Sequence, residues 1–418
     1  MSSIKNISAL EILDSRGRPT IKTTVTLRNG FVGEASVPSG ASTGAAEAHE
    51  LRDGDPARYG GLGCMKAVKL IEGEIQEALV GRDFEHQFDL DLFMIEFDGT
   101  SNKSRIGANS ILSISLAFAR ARALDREMTL YTYFANLIDS TPGKMPNLMV
   151  NLFSGGAHAG QQVAIQDCLI LPQRADVTSS LETIYEVYQK SAQIVYDRYG
   201  MRALTADEGG LAPDFASEEE MMECAMDAIH ELPSDDSPDV ALALDVAASQ
   251  FYENGIYHLG NRALTGEEFT KTLTSWLSKY PILSIEDCFA EEDWEHWINF
   301  NASAGKEIAI VGDDLLCTNP ERIKYAIERQ AANSLLLKVN QIGTLYEASQ
   351  SLGLVRSADW TCVISARSGE TEDNWLADLA VGWGADYIKV GSITQSERLA
   401  KYNRLLEIEK EISQRSTG

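Results

Sequence analysis

The chain has 418 residues, 44% of them hydrophobic, with 32 Gly and 11 Pro: a folded composition, long enough for one large domain and a smaller one. Its 62 acidic residues outnumber 36 basic ones, giving a net charge of −26, which sets it against nucleic acid and anionic membranes as partners. An anion bound by such a chain needs a local pocket, and acids holding a divalent cation would reconcile the two.

Met1–Thr20 carries charges throughout and has no apolar h-region, so no signal peptide is expected. Ile21–Leu27 alternates like a half-buried strand, and Arg28-Asn-Gly30 turns it. Val37-Pro-Ser-Gly-Ala-Ser-Thr-Gly44 is a small-residue loop ahead of a helix-like stretch, Glu47–Arg52. Such a loop closes over anions with amides and hydroxyls, although it lacks the GK[ST] of a Walker A loop. Met65–Leu79 reads as an amphipathic helix and Ile106–Leu124 as a mostly buried one. The serines inside Ile111–Ala119, and its shortness, exclude a membrane span. Thr141-Pro-Gly-Lys-Met-Pro146 is the best boundary, dividing the chain into residues 1–135 and 145–418. The six cysteines, Cys64, Cys168, Cys224, Cys288, Cys317 and Cys362, never fall at CxxC spacing. That argues against a zinc ribbon or disulfide framework and suits a reducing cytoplasm.

Beyond the boundary, short apolar runs recur, each closing on a polar residue and followed by a helical stretch. They are Val163–Pro172, Val240–Asp245, Ile282–Asp287, Ile308–Asp314, Leu335–Asn340, Cys362–Arg367 and Tyr387–Gly391. Their spacing fits βα units, and a series of this number closes most simply as a barrel. An open doubly wound sheet is the alternative, but no GxGxxG opens any unit. A barrel's active site sits at the C-terminal ends of its strands. There the sequence puts Asp245, Glu286, Asp313, Lys338, Arg367 and Lys389.

One acid at a strand end commonly caps the next helix. Asp245, Glu286 and Asp313 close three successive runs, and such a set suits a hard divalent cation such as Mg²⁺. Lys338 follows three leucines; desolvation and a nearby metal are expected to lower its pKa and make it a base. Lys389 repeats the pattern. Arg367, flanked by Ser365 and Ser368, is a candidate anion fork. His158 lies in a glycine-rich loop, and Glu208 in Ala206-Asp-Glu-Gly-Gly210 sits at a sharp turn, either as a general acid or as a solvated residue.

These stretches resemble the enolase family over nearly the whole chain. The resemblance rests on Ser39–Gly44, Glu50-Leu-Arg-Asp-Gly54, Gly107–Leu112, Gly155-Gly-Ala-His158 and Asp207-Glu-Gly-Gly210. It continues through Ala243–Ser249, Ser284–Asp287, Gly312–Leu315, Leu335–Gly343, Arg367–Asp373 and Ser396–Lys401. It implies an α/β protein: an N-terminal α+β cap domain on a modified (βα)8 barrel, a homodimer or higher oligomer, and two Mg²⁺ ions per site. The implied reaction is the dehydration of 2-phosphoglycerate to phosphoenolpyruvate, so the implied partner is a small anionic phosphorylated or phosphonylated substrate. By the same resemblance Asp245, Glu286 and Asp313 match metal ligands, and Ser39 a loop ligand of the second ion. Lys338 matches the base, Glu208 the general acid and Lys389 the substrate-carboxylate contact. Arg367 and Ser368 match phosphate contacts, His158 a closing-loop histidine and Gln166 a substrate-site polar residue.

The chain also departs from the family. Asp167 stands where the family has Glu, and Ala366, between Ser365 and Arg367, where it has His. Cys288 replaces Pro, Gln395 replaces Arg and Gln250 replaces Glu. Asp167 and Ala366 are both expected near the hydroxyl end of the substrate, opening space there. Three functions follow: an ordinary enolase, an enolase-like enzyme of a modified glycerate analogue, or a non-catalytic relative. The second would resemble the carboxyphosphonoenolpyruvate synthases of phosphonate natural-product pathways.

Overall fold

The computed structural model describes residues 3–40, 44–232 and 239–416; Ala41, Ser42 and Thr43 of the small-residue loop lie outside them. Three strands, β1 (Ile4–Leu13), β2 (Pro19–Leu27) and β3 (Val32–Ser36), form an antiparallel meander. In β2 the alternation seen in the sequence becomes alternating burial, and Gly30 at φ +97° makes the turn to β3. The helix Ala108–Asp125 packs on β2 and β3. A Cβ at Gly33 would lie 2.1 Å from the Ala117 carbonyl oxygen, so the close approach requires glycine. Two serines of this helix have side-chain partners: Ser113 Oγ lies 2.7 Å from Thr23 Oγ1, and Ser115 Oγ accepts from Gln87 Nε2 at 3.0 Å.

Residues 140–146 carry no regular structure and lead into a closed eight-stranded barrel. Its strands are β4 (Asn147–Ser154), β5 (Asp167–Pro172) and β6 (Val240–Asp245). A small antiparallel sheet follows: β7 (Tyr252–Glu253), β8 (Ile256–Leu259) and β9 (Arg262–Thr265). Next come β10 (Ile282–Glu286), β11 (Ala309–Gly312), β12 (Ser334–Leu337), β13 (Thr361–Ser365) and β14 (Tyr387–Lys389). The order around the barrel is β10-β11-β12-β13-β14-β4-β5-β6. All neighbours pair in parallel except those of β5, which runs antiparallel to both β4 and β6.

The structure corrects the sequence reading in three places. The run Val163–Pro172 is a strand only from Asp167, and it is reversed, so its first residue, not its last, lies at the mouth. β4, with Asn151 interrupting its apolar run, was not among the expected strands. Glu47–Arg52 carries no regular secondary structure rather than a helix. Its amides are taken by distant partners: Ala48 N donates to Gln341 O at 2.7 Å, His49 N to Asn102 O at 2.7 Å and Leu51 N to Asn109 Oδ1 at 3.0 Å.

Strand periodicity then places the chemistry. Met149, Leu169, Leu171, Ala241, Ala243, Val311, Leu336 and Val363 form a separate cluster inside the barrel. Counting by two from these residues toward the mouth reaches Asn151, Asp167, Asp245, Asp313, Lys338 and Ser365. The candidate side chains therefore continue the inward face of the barrel. All six cysteines are buried and free. Among the described residues no helix is long and apolar enough to cross a membrane.

Candidate active site

Register brings the acids together. Asp167 is paired with Asp245, and Asp245 with Glu286, on three adjacent strands about 4.8 Å apart. All three are buried. Lys389 Nζ bridges two of them, 2.8 Å from Asp245 Oδ2 and 2.7 Å from Glu286 Oε2. Burial raises Glu286 well above the carboxylate range and Asp245 adds to the rise. Burial acts on Asp245 in the same sense, but Lys389 outweighs it and holds that carboxyl low. Lys389 itself is pushed well up: burial opposes its charge, and Asp245 and Glu286 overcome it.

The third acid, Asp313, takes a bond from Lys338 Nζ and another from Gln341 Nε2 at 2.8 Å. Its backbone is fixed by Asp287, whose carboxylate accepts the amides of Asp313 at 3.0 Å and Asp314 at 2.8 Å. Lys338 contradicts the expected lowered pKa. Burial lowers it, but Asp313 outweighs burial and the net displacement is upward.

Opposite, His158 Nδ1 lies 2.9 Å from Asp167 Oδ2, and His158 Nε2 lies 3.8 Å from Glu208 Oε1. Ser154 Oγ donates to Asp167 Oδ1 at 2.5 Å, and Asn151 Nδ2 to Glu208 Oε2 at 3.0 Å. Burial works against the His158 charge, but Asp167 and Glu208 raise it to about 9. Burial would also raise Glu208, yet His158, Arg398, Lys389 and Lys338 bring it down to about 2. Glu208 is thus ionised at neutral pH and the proton resides on the His158–Asp167 pair. Burial lifts Asp167 above its ordinary value, and His158 opposes the rise.

This geometry sets a pH dependence. An unfolded histidine titrates near about 6.5 and the folded one near 9. The pairing therefore stabilises the fold fully below about pH 6.5, and that contribution is lost as pH rises through about 9. The His158 imidazole resonance is expected to titrate near 9, with thermal stability falling across that window. A resonance titrating near 6.5 would contradict the pairing.

The other candidates separate. Gln166 Nε2 donates to Asp245 Oδ2 at 3.0 Å and its Oε1 accepts from Gln250 Nε2 at 2.6 Å, within the site. Ser365 pairs with Lys389 across β13 and β14, and the Ala366 amide donates to Lys389 O at 2.9 Å. Arg367 is held by Glu47 and Asn340. Ser368 Oγ accepts from Arg16 Nη1 at 3.1 Å. Ser39 is not brought to the acids: its Oγ donates to Glu50 Oε2 at 3.0 Å and accepts from Arg52 Nη2 at 2.8 Å. Ser42 of the same loop lies outside the described residues. Asp167 opens β5 and Ala366 follows β13, three places apart around the barrel. The sequence reading missed Asn151, Ser154, Gln341, Glu47 and Arg398. Arg398 braces the fork, donating to Arg367 O at 2.7 Å and Ser368 O at 2.6 Å. Gln341 and Arg398 fall inside the quoted motifs; the others had no signal beyond residue type.

Among the described residues, two groups bring three ligand atoms within 4.8 Å of one another: His158, Asp167 and Glu208, and Asp287, Asp313 and Asp314. Asp245, Glu286 and Asp313 do not form such a group; they turn to the two lysines instead. Their donor set still fits a hard cation: the buried carboxylates on neighbouring strands repel one another, which helps to raise Glu286, and a divalent ion would relieve that repulsion.

An eight-stranded barrel whose mouth gathers carboxylates, two lysines and an arginine has the groups that acid–base chemistry on an anion requires. Residues 4–134 match the family model "Enolase, N-terminal domain", and residues 143–417 match "Enolase, C-terminal TIM barrel domain". The chain belongs to the enolase family. It is placed among the Mg²⁺-dependent lyases of that superfamily, whose pattern is a Lys or His base beside one or two Mg²⁺ ions.

Proposed function

We propose that the protein is a hydro-lyase that dehydrates 2-phosphoglycerate to phosphoenolpyruvate. The observation that carries this reading is the opposition of base and acid. β12, which leads into Lys338, and β5, which starts at Asp167, are four places apart in the eight-strand order, hence on opposite sides of the mouth. Lys338 takes the proton α to the carboxylate from one side. The His158–Asp167 pair, with Glu208 alongside, supplies a proton to the departing hydroxyl from the other. Lys389 holds the substrate carboxylate, Gln166 lies beside it, and Arg367 with Ser368 holds the phosphate. Asp245, Glu286 and Asp313 would hold Mg²⁺, two ions per site with further ligands from the substrate. Held there, Mg²⁺ would supply positive charge that makes the α-proton more acidic and would offset the carboxylate field that keeps Lys338 charged. The six free buried cysteines support a reducing, cytoplasmic setting, and a homo-oligomer accords with the family.

A second reading, a larger or phosphonylated glycerate analogue as substrate, is favoured by where the departures fall. Asp167 is in the acid group, and Gln250 holds Gln166. Gln395 Nε2 donates to Ala206 O at 3.2 Å, two residues from Glu208. Ala366 follows Ser365 at the end of β13, the strand between those that lead to Lys338 and Lys389. One assay separates the readings: enol-phosphate formation from 2-phosphoglycerate with Mg²⁺, in the natural protein and in Ala366→His. Turnover of the natural protein at about 1–10³ per second is expected. Negligible turnover with Mg²⁺ and an analogue still bound would leave the second reading. A protein that binds no Mg²⁺ would be a non-catalytic relative.

A further inference from the structure

Arg367 already holds an anion from its own chain. Its Nη1 donates to Glu47 Oε2 at 3.1 Å and its Nη2 to Glu47 Oε1 at 3.2 Å; Nη1 also donates to Asn340 Oδ1 at 3.2 Å. Only 4% of the Arg367 side chain and 8% of the Glu47 side chain are exposed. This two-pronged geometry is the one by which a guanidinium grips a phosphate or a carboxylate. Glu47 is itself held: the Gly44 amide donates to its Oε1 at 3.2 Å and Gln341 Nε2 at 3.4 Å. The same Gln341 nitrogen reaches Asp313 at 2.8 Å, so the fork is tied to the acid beside Lys338.

We propose that Glu47 is a specificity-determining residue: it restricts the Arg367 fork to dianionic phosphoryl or phosphonyl groups and rejects carboxylates. The inference rests on Arg367 being the anion contact of the proposed function. A ligand carboxylate that displaces Glu47 replaces one monoanion by another. It gains no Coulomb energy and forfeits the advantage of a tethered partner. A ligand carboxylate that joins without displacing Glu47 meets its charge and that of Asp313 and Asp314. A dianion gains about twice the attraction to the guanidinium and so outcompetes the internal carboxylate. Discrimination thus comes from a repulsive element as well as an attractive one.

The test uses the Mg²⁺-loaded full chain and two probes of one skeleton, succinate and 3-phosphonopropionate, titrated calorimetrically. The natural protein is expected to bind 3-phosphonopropionate at least about 30-fold tighter. Glu47→Gln keeps the size and an acceptor for Arg367 but removes the charge. It is expected to tighten succinate binding about tenfold and narrow the ratio accordingly. Glu47→Asp, which withdraws the carboxylate by one methylene, is expected to move the ratio the same way by less. An unchanged ratio in both variants, with both probes bound, overturns the proposal. Arg367→Ala tests the reading beneath it. If that variant binds 3-phosphonopropionate as tightly as the natural protein does, or if the natural protein binds neither probe, the assignment of Arg367 as the anion contact fails instead.

Discussion

Lys338→Ala is expected to abolish exchange of the substrate α-proton with solvent, a loss of about 10³-fold read by NMR in D₂O. Lys338 is half-buried in the mouth with Asp313 as its partner, and it stands across the barrel from the His158–Asp167 pair. Alanine also leaves Asp313 without its lysine, so a failed fold would mimic lost chemistry. Lys338→Arg separates the two. Arginine keeps a positive charge beside Asp313 but does not deprotonate in a protein. It is expected to retain the thermal stability of the natural protein and still to lose the exchange. Exchange that survives in the arginine variant would remove Lys338 from the role of base.

The second large effect is on stability. Lys389 is the bridge between Asp245 and Glu286, and all three are buried. Removing one partner of a buried ion group leaves charge with no water and no counter-ion. Lys389→Met is therefore expected to cost the metal-free protein about 3–5 kcal/mol of unfolding free energy. Urea unfolding in the presence of a chelator measures it. Millimolar Mg²⁺ is expected to stabilise this variant more than the natural protein, since the ion would supply the charge that Lys389 gave. Equal stability of variant and natural protein without metal would show that the two acids are not held as a charged cluster.

Much of this site was legible because period-2 burial carries a strand's inner face to its end. Asp245, Asp313, Lys338 and Lys389 close or follow apolar runs, and the barrel sends them inward. Direction was not legible: alternation reads the same along β5 in either sense, so only pairing shows that Asp167 opens its strand at the mouth. Glu47–Arg52 is made of good helix formers, and long-range backbone bonds to Gln341 and Asn102 overrode that propensity. The Glu47–Arg367 pair joins residues 320 positions apart, a distance no local pattern spans. Charge state was the least legible property. The expected base is held protonated and the expected acid is held ionised, because each pKa depends on neighbours that only the fold assembles.

The reversal of β5 has a consequence for how the reaction is written along the chain. Because β5 runs downward, the β4–β5 link carrying His158 and the turn carrying Glu208 both return to the mouth before β6 begins. In the proposed reaction, proton delivery to the leaving group therefore falls to residues 151–208. In that same proposal, carbon acidity and anion grip fall to the barrel after it, from Asp245 to Lys389. The two proton transfers occupy consecutive, non-overlapping stretches of one polypeptide, joined by the register that pairs Asp167 with Asp245. Under the proposed function, substitutions in the earlier stretch are expected to alter how a leaving group departs while Asp245, Glu286, Asp313 and Lys338 keep their places at the mouth.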